Sequence, residues 1–288
     1  MLKSILMLIR PHQYVKNFFI FVPLFFALEI TNVDLLFNAF VAFLSFSLSA
    51  SAIYILNDYH DIEEDRLHPK KKDRPLASGA VSKKQAIAIM LVLLAMGFTL
   101  MSSLSYLATG IVSFYVLMNV AYSLFLKHVA IIDISIIAVG FVLRLLIGSA
   151  VTDIHLSGWI VMMTFLLALF MALAKRRDDM IIYLDTGKLM RKVIDGYNIQ
   201  FLDTAMAIMA AVVIVAYTNY TLSPEIVAKT NSQYLYLTSV FVILGIMRYL
   251  AITFVIQDSG SPTKIVLKDR FIQITLLGWI MTFFWLLY

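Results

Sequence analysis

The sequence predicts an all-α, polytopic membrane protein with about nine transmembrane helices. Three observations lead there. Mean hydropathy is +0.88, with 61% hydrophobic and 14% charged residues, a balance outside the soluble globular class. The apolar residues gather in runs close to the ~20 residues a helix needs to cross a bilayer. Lys and Arg fall almost entirely on alternate connections between those runs.

Taken in order, the runs cover about 14–30, 35–56, 85–101, 104–126, 129–151, 156–174, 201–222, 234–256 and 271–288. The first is the weakest, because Pro23 interrupts it and Lys16 and Asn17 stand at its start. The third and fourth are divided only by a tight turn expected near Ser102 and Ser103. Ahead of the first run, Ser4 to Ile9 between Lys3 and Arg10 is too short for a signal-peptide core, so no cleaved signal is expected. The remaining spans have no interior proline, and five of the six prolines, all but Pro23, lie near or outside span ends.

Of the 23 Lys and Arg residues, 20 lie on one side of this arrangement. They occupy the N-terminal segment, the connection 57–84, Lys127, the connection 175–200, and Lys264, Lys268 and Arg270. The opposite connections hold only Lys229, while Arg144 and Arg248 fall inside spans. The positive-inside rule then places the N-terminus and the charged loops in the cytoplasm and the C-terminus outside, in a cell (inner or plasma) membrane. A single domain over 1–288 is expected, with 57–84 and 175–200 as its active loops. The absence of cysteine excludes disulfides, thiolate metal sites and a cysteine nucleophile. A net charge of +5 and a pI near 9.2 read as the cytoplasmic face of a membrane protein, so no nucleic-acid partner is expected.

The loop after the second span carries the densest chemistry. Asn57 to Gly79 reads NDYHDIEEDRLHPKKKDRPLASG and holds six carboxylates against five cations. No Gly or Pro precedes Pro69, so the span can continue as a helix. At about 100° per residue, Asn57, Asp58, Asp61 and Asp65 then share one face. Carboxylates so crowded need a hard cation among them, and Mg²⁺ fits best, since it takes oxygen ligands and is commonly completed by substrate phosphates. The alternative is a solvated helix end neutralised by the lysines that follow. Glu63 and Glu64 point elsewhere, and His60 and His68 without cysteine do not make a zinc site. The run Lys70, Lys71, Lys72, Arg74 can fold over metal-bound phosphate, with Gly79 allowing a tight turn. Which of the three lysines faces inward is open.

The pattern NDxxDxxxD followed by HPxKxxRPxxSG resembles the first signature of the UbiA-type superfamily of intramembrane prenyltransferases. The likeness in span number and polar loops extends over nearly the whole chain, and it implies helices arranged around a central cavity opening to the cytoplasm. It implies Asn57, Asp58, Asp61 and Asp65 as metal ligands, with Asp58, Asp61 and Asp65 catalytic through them. The second loop departs from the usual aspartate-rich motif and reads AKRRDDMIIYLDTGK. Together with RPHQYVKN, which contains Lys16 and Asn17, YSLFLKH, which contains Lys127 and His128, and VLRLLIG around Arg144, it is similar to the polyprenyl-phosphate phosphoribosyltransferase branch. That branch implies phosphoribosyl diphosphate as donor and a polyprenyl phosphate, such as decaprenyl phosphate, as acceptor, with the lipid as nucleophile.

Three anionic groups at one site call for extra cations. The candidates are Lys16, Lys71, Arg74, Lys127, Arg144, Lys175 and Arg176, with Asn17 and His128 carried over from the same motifs. An arginine inside a span is expensive and faces either a polar cavity or, by snorkelling, a headgroup. Arg248 poses the same question, and Asp269 with Arg270 serve gating or structure. An aromatic polyprenyltransferase using a polyprenyl diphosphate would share the first motif but not the basic second loop. A transporter would call for helices broken at mid-membrane, which the proline positions do not supply.

Overall fold

The computed structural model describes residues 2–67, 71–187, 196–230, 232–257 and 262–287. His68, Pro69, Lys70 and the stretch 188–195, with Lys188, Arg191 and Lys192, lie outside the described residues, as does the side chain of Lys264. The described residues contain helices and no strand. They form two compact units, 1–127 with 139–156 and 128–138 with 157–288.

The first unit opens with α1 (Leu2–Ile9), a 3-10 helix over Pro11–Phe21, and α2 (Val22–Ala27). The predicted first span is therefore not one long helix. Arg10 adopts the left-handed region at φ 57, Pro11 begins the 3-10 helix, Pro23 sits at the start of α2, and Leu28, at φ 65, ends it. Next come α3 (Val33–His60), α4 (Ile62–Leu67), α5 (Lys83–Leu104), α6 (Tyr106–Leu124), and the C-terminal part of α7 (Ile132–Thr152). Caps set these boundaries. The Asn32 side chain accepts from Leu35 N, and Ser82 and Gln85 form a capping box at α5. A single residue, Ser105, separates α5 from α6 and caps the latter, so the predicted turn lies slightly later than Ser102 and Ser103.

The longest helix of the first unit, α3, buries a stripe of small residues that includes Ser45, Ser49, Ala50 and Ala52. Small residues let helix backbones approach in a lipid setting, and α5 uses this: Ser45 Oγ donates to Gly97 O at 2.7 Å. A second close approach lies at Gly148 on α7, where an added Cβ would stand 2.1 Å from the carbonyl oxygen of Ile20. Backbone cannot yield cheaply there. Gly148→Ala is expected to cost about 1–3 kcal/mol through forced displacement of the 3-10 helix, measured as a lower thermal midpoint of the detergent-solubilised protein. An unchanged midpoint would show that the helix relaxes freely.

In the second unit, α8 (Gly158–Thr186), α9 (Ile199–Leu222), α10 (Pro224–Thr230), α11 (Ser239–Ala251), α12 (Pro262–Lys268) and α13 (Arg270–Leu287) follow in order. The N-terminal turns of α7 belong here too. Its core gathers Phe170 and Leu173 of α8, Leu202 and Met206 of α9, and Ile246 and Tyr249 of α11. After Ala251 the chain loosens into a π-helical turn, Ile252–Ile256.

Among the described residues eight helical segments are long and apolar enough to cross a membrane, close to the nine expected. Large apolar side chains such as Phe37, Leu107, Leu117 and Trp285 stand exposed on them, as lipid-facing surfaces require.

Candidate active site

The carboxylates of the first charged loop are positioned by the end of α3 and by α4. The i→i−4 ladder continues across the junction, with Asp61 N bonded to Asn57 O at 3.0 Å and Asp65 N to Asp61 O at 2.7 Å. Asp61 itself turns to φ −92, ψ 8, which kinks the helix where an unbroken one was expected.

The kink divides the acids. Asp58, only 2% exposed, accepts from Arg10 and, at 3.0 Å, from Arg74 Nη1. The same Arg74 nitrogen donates to Asp65 Oδ2 at 2.7 Å, and Lys71 Nζ lies 4.0 Å from Asp65 Oδ1. Asp61 turns instead to Lys127 Nζ at 2.5 Å and accepts from Asn57 Nδ2 at 3.0 Å. Asp58 and Asp65 are thus brought together across one cation, while Asp61 with Asn57 forms a second pair site. Among the described residues no three His, Asp or Glu side chains converge as a metal cage, because guanidinium and ammonium groups stand between the acids.

The basic run is partly resolved into roles. Lys71 is half-buried toward Asp65 and Lys72 is exposed. Gly79 takes the left-handed φ of 79 expected of its turn, and Arg66 Nε anchors the loop by donating to Ala77 O at 3.1 Å.

Arg144 lies 5% exposed within the first unit. Its Nε donates to Asn17 Oδ1 at 2.8 Å and its Nη1 to Gly140 O at 2.6 Å. Asn17 is oriented in turn by donating to Ser47 Oγ at 2.9 Å. The guanidinium sits over the rings of Phe46, Tyr115 and Phe141 at 4.8–5.4 Å, so ring faces rather than an acid hold the charge. Among the described residues no carboxylate pairs with Arg144 or with the half-buried Lys16, and the charge of Arg144 acts on Lys16. This arrangement of Arg144 is a buried one, not snorkelling to a headgroup.

In the second unit, α8 runs unbroken to Thr186 and stops at Gly187, φ 65. Lys175, Arg176 and Arg177 therefore stand on a helix rather than in the cytoplasmic loop expected over 175–200. Arg176 is 1% exposed and donates from Nε to Asp133 Oδ2 at 2.5 Å and from Nη1 to Asp179 at 2.9 Å. Asp133 also accepts from Tyr197 Oη at 2.6 Å, and that hydroxyl accepts from Ile131 N at 2.7 Å. Burial and the Asp133 carboxylate push the Tyr197 hydroxyl well above its ordinary range, so it stays a donor. Ile131, a β-branched residue at φ 69, is held in that strained conformation by this bond. Arg176 thus pairs with two carboxylates, Asp133 and Asp179. Arg177 bridges α8 to Asp203 at 2.5 Å and to the freed carbonyl of Thr253 at 2.8 Å. Lys175 is half-buried and His128 exposed.

Arg248 pairs with Asp269 at 2.8 Å, and Asp269 caps α13 by accepting from Ile272 N at 3.0 Å. Sequence reasoning missed Arg10, Asp133 and Tyr197. Asp133 carried a signal, being an acid in the first turn of an apolar span, and Arg10 opens the RPHQYVKN motif from which only Lys16 and Asn17 were drawn; Tyr197 carried none.

The sequence model of the UbiA prenyltransferase family matches residues 18–287. A decaprenyl-phosphate phosphoribosyltransferase of Mycolicibacterium smegmatis is 32% identical, over 95% of this chain and 89% of that protein. Its counterpart in Mycobacterium tuberculosis H37Rv is 30% identical, over 95% and 91%. A UbiA homolog from Archaeoglobus fulgidus, solved with GPP and Mg²⁺, superposes with a TM-score of 0.72 at 20% identity, covering 99% of both chains.

Proposed function

The chain belongs to the UbiA prenyltransferase family, and from that premise we propose that it transfers the 5-phosphoribosyl group of phosphoribosyl diphosphate to a polyprenyl phosphate such as decaprenyl phosphate. The observation that carries the proposal is the near full-length likeness to decaprenyl-phosphate phosphoribosyltransferases. The first unit adds physical support. Two cations with no carboxylate partner among the described residues, Lys16 and Arg144, lie in the same unit as acids already gathered around Arg74, a setting suited to substrates with several phosphates.

In the reaction the bond from ribose C1 to the diphosphate oxygen breaks, and its electron pair leaves with diphosphate. An oxygen of the lipid phosphate forms the new bond to C1. That oxygen is already anionic, so no general base is needed. Catalysis is positioning and electrostatic stabilisation.

The donor set at Asp58, Asp65, Asp61 and Asn57 is all oxygen, as a hard cation requires, and the Arg74 nitrogen already bridges Asp58 and Asp65 as a stand-in positive charge. These residues would hold Mg²⁺. When bound, the ion supplies charge neutralisation for the leaving diphosphate. In this reading Arg74, Lys71, Arg10 and Lys127 exchange their carboxylates for phosphate oxygens as the donor binds. Lys16, Asn17 and Arg144 hold a second anionic group, with Asn17 keeping the guanidinium plane fixed. Lys175, Arg176 and His128 contact substrate, with Asp133 and Asp179 orienting the Arg176 guanidinium. The N-terminus and the charged loops face the cytoplasm, where a soluble phosphoribosyl donor is available.

The test is direct. Purified protein with Mg²⁺, phosphoribosyl diphosphate and decaprenyl phosphate is expected to yield a lipid-linked phosphoribose by mass spectrometry. EDTA is expected to abolish the product, and added Mg²⁺ to restore it. Product formed instead from polyprenyl diphosphate and 4-hydroxybenzoate would replace this reading with aromatic prenyl transfer.

A further inference from the structure

The buried serines of α3 divide between two faces. Ser45 and Ser49 lie toward α5, where Ser45 Oγ donates to Gly97 O at 2.7 Å and a Cβ on Gly97 would stand 2.5 Å from Ser49 Oγ. Two residues on, about 200° around the helix, Ser47 and Ser51 meet the N-terminal segment instead. Ser51 Oγ donates to Ile9 O at 2.8 Å, and Ser47, 1% exposed, accepts from Asn17 Nδ2 at 2.9 Å. The Ser47 hydroxyl therefore serves Asn17 rather than the approach of α5.

That contact fixes which way the Asn17 amide points. A guanidinium only donates, so the bond from Arg144 Nε at 2.8 Å requires the amide oxygen. The amide nitrogen of this buried residue is then turned away from Arg144 and needs an acceptor, which Ser47 Oγ supplies. Arg144 in turn is held at two of its three nitrogens, Nε by Asn17 and Nη1 by Gly140 O. Rings cover its faces, which leaves an edge. Nη2 on that edge has no acceptor among the described residues, yet the side-chain atoms there that are both sealed and unpartnered are Ser239 Oγ and Tyr249 Oη. The Nη2 edge therefore reaches open space.

We infer that Ser47 is a positioning residue for the transfer reaction: by orienting Asn17 it aims the open edge of Arg144 at a phosphate monoester of a substrate. The inference rests on the function proposed above. Ser47, Asn17 and Arg144 all lie in the first unit, with Asp58 and Asp65. A planar fork of N–H donors matches two phosphate oxygens only when its plane is held, so a guanidinium that rocks binds the same anion less tightly. The donor's 5-phosphate and the phosphate of the lipid acceptor are both monoesters, and the experiment tells them apart.

The experiment compares the parent, Ser47→Ala, Asn17→Ala and the double variant by melting temperature and by KM and kcat for each substrate. Ser47→Ala is expected to raise one KM about tenfold, the worth of one hydrogen bond. The KM for phosphoribosyl diphosphate rises if the monoester is the 5-phosphate, and that for decaprenyl phosphate rises if it belongs to the lipid. In the Asn17→Ala background the same substitution is expected to add nothing, because its effect passes through the amide. Both KM values unchanged, both raised alike, an undiminished effect in the Asn17→Ala background, or a Ser47→Ala protein that does not fold would each overturn the inference while leaving the transferase activity of the parent standing. A parent inactive on phosphoribosyl diphosphate and decaprenyl phosphate would instead remove the proposed function and this inference with it.

Discussion

Asp58→Asn is expected to lower turnover by about 10³-fold while the protein remains folded, the size of effect seen when one preorganised charge-stabilising group is removed from a site. Asp58 is buried and is joined to both Arg10 and Arg74. The amide keeps its shape but cannot neutralise a cation. Folding persists because Arg74 retains Asp65 at 2.7 Å and Arg10 is partly exposed. The measurements are size-exclusion profile, melting temperature, and initial rate against Mg²⁺ concentration. A higher Mg²⁺ requirement in the variant would follow from the loss of one oxygen donor. Asp65→Asn should behave alike, and the double variant should fall short of the product of the two effects, since both acids share one guanidinium. Near-parental turnover in Asp58→Asn would remove the first charged loop from the mechanism.

The second large effect concerns stability. Asp133→Asn is expected to cost about 3–5 kcal/mol, because it takes away the fully buried charge that balances Arg176 and leaves a guanidinium 1% exposed without it. The Tyr197 hydroxyl would lose its acceptor as well, loosening the bond that holds Ile131 at positive φ. The check is the unfolding midpoint in detergent, together with the Asp133→Asn/Arg176→Met double variant, which should recover part of the loss by removing a buried guanidinium left with Asp179 at 2.9 Å as its described carboxylate. A loss under about 1 kcal/mol would mean that Asp179 suffices as counter-ion.

Much of this organisation was legible in the sequence. Span lengths and the one-sided cations gave the membrane class, and the spacing NDxxDxxxD gave the acids of the first loop. What escaped was set by partners distant in sequence. Nothing between Asn57 and Asp65 signals a kink, since the break comes from Asp58 and Asp61 being drawn to different cations, Arg10 and Arg74 on one side and Lys127 on the other. Arg144 was correctly flagged as costly, but its shelter of three rings and Asn17 comes from residues up to 127 positions away. Lys175 to Thr186 was taken for a loop because its charge density is that of a solvated connection. Buried pairing of Arg176 and Arg177 lets it stay helical.

That continuity has a bearing on which changes the protein can absorb. Twenty-nine residues of α8, at ~1.5 Å each, span about 43 Å against a hydrocarbon thickness of ~30 Å. The charged end is thus a rigid stem in which angular position is fixed by residue count. A flexible loop would forgive an added or missing residue. In this stem, one insertion before Lys175 would rotate every later side chain by about 100°, turning Arg176 from Asp133 and Arg177 from Asp203 at once. Natural variation along this segment should therefore proceed by exchange of side chains at constant length, with gaps confined to the far side of Gly187.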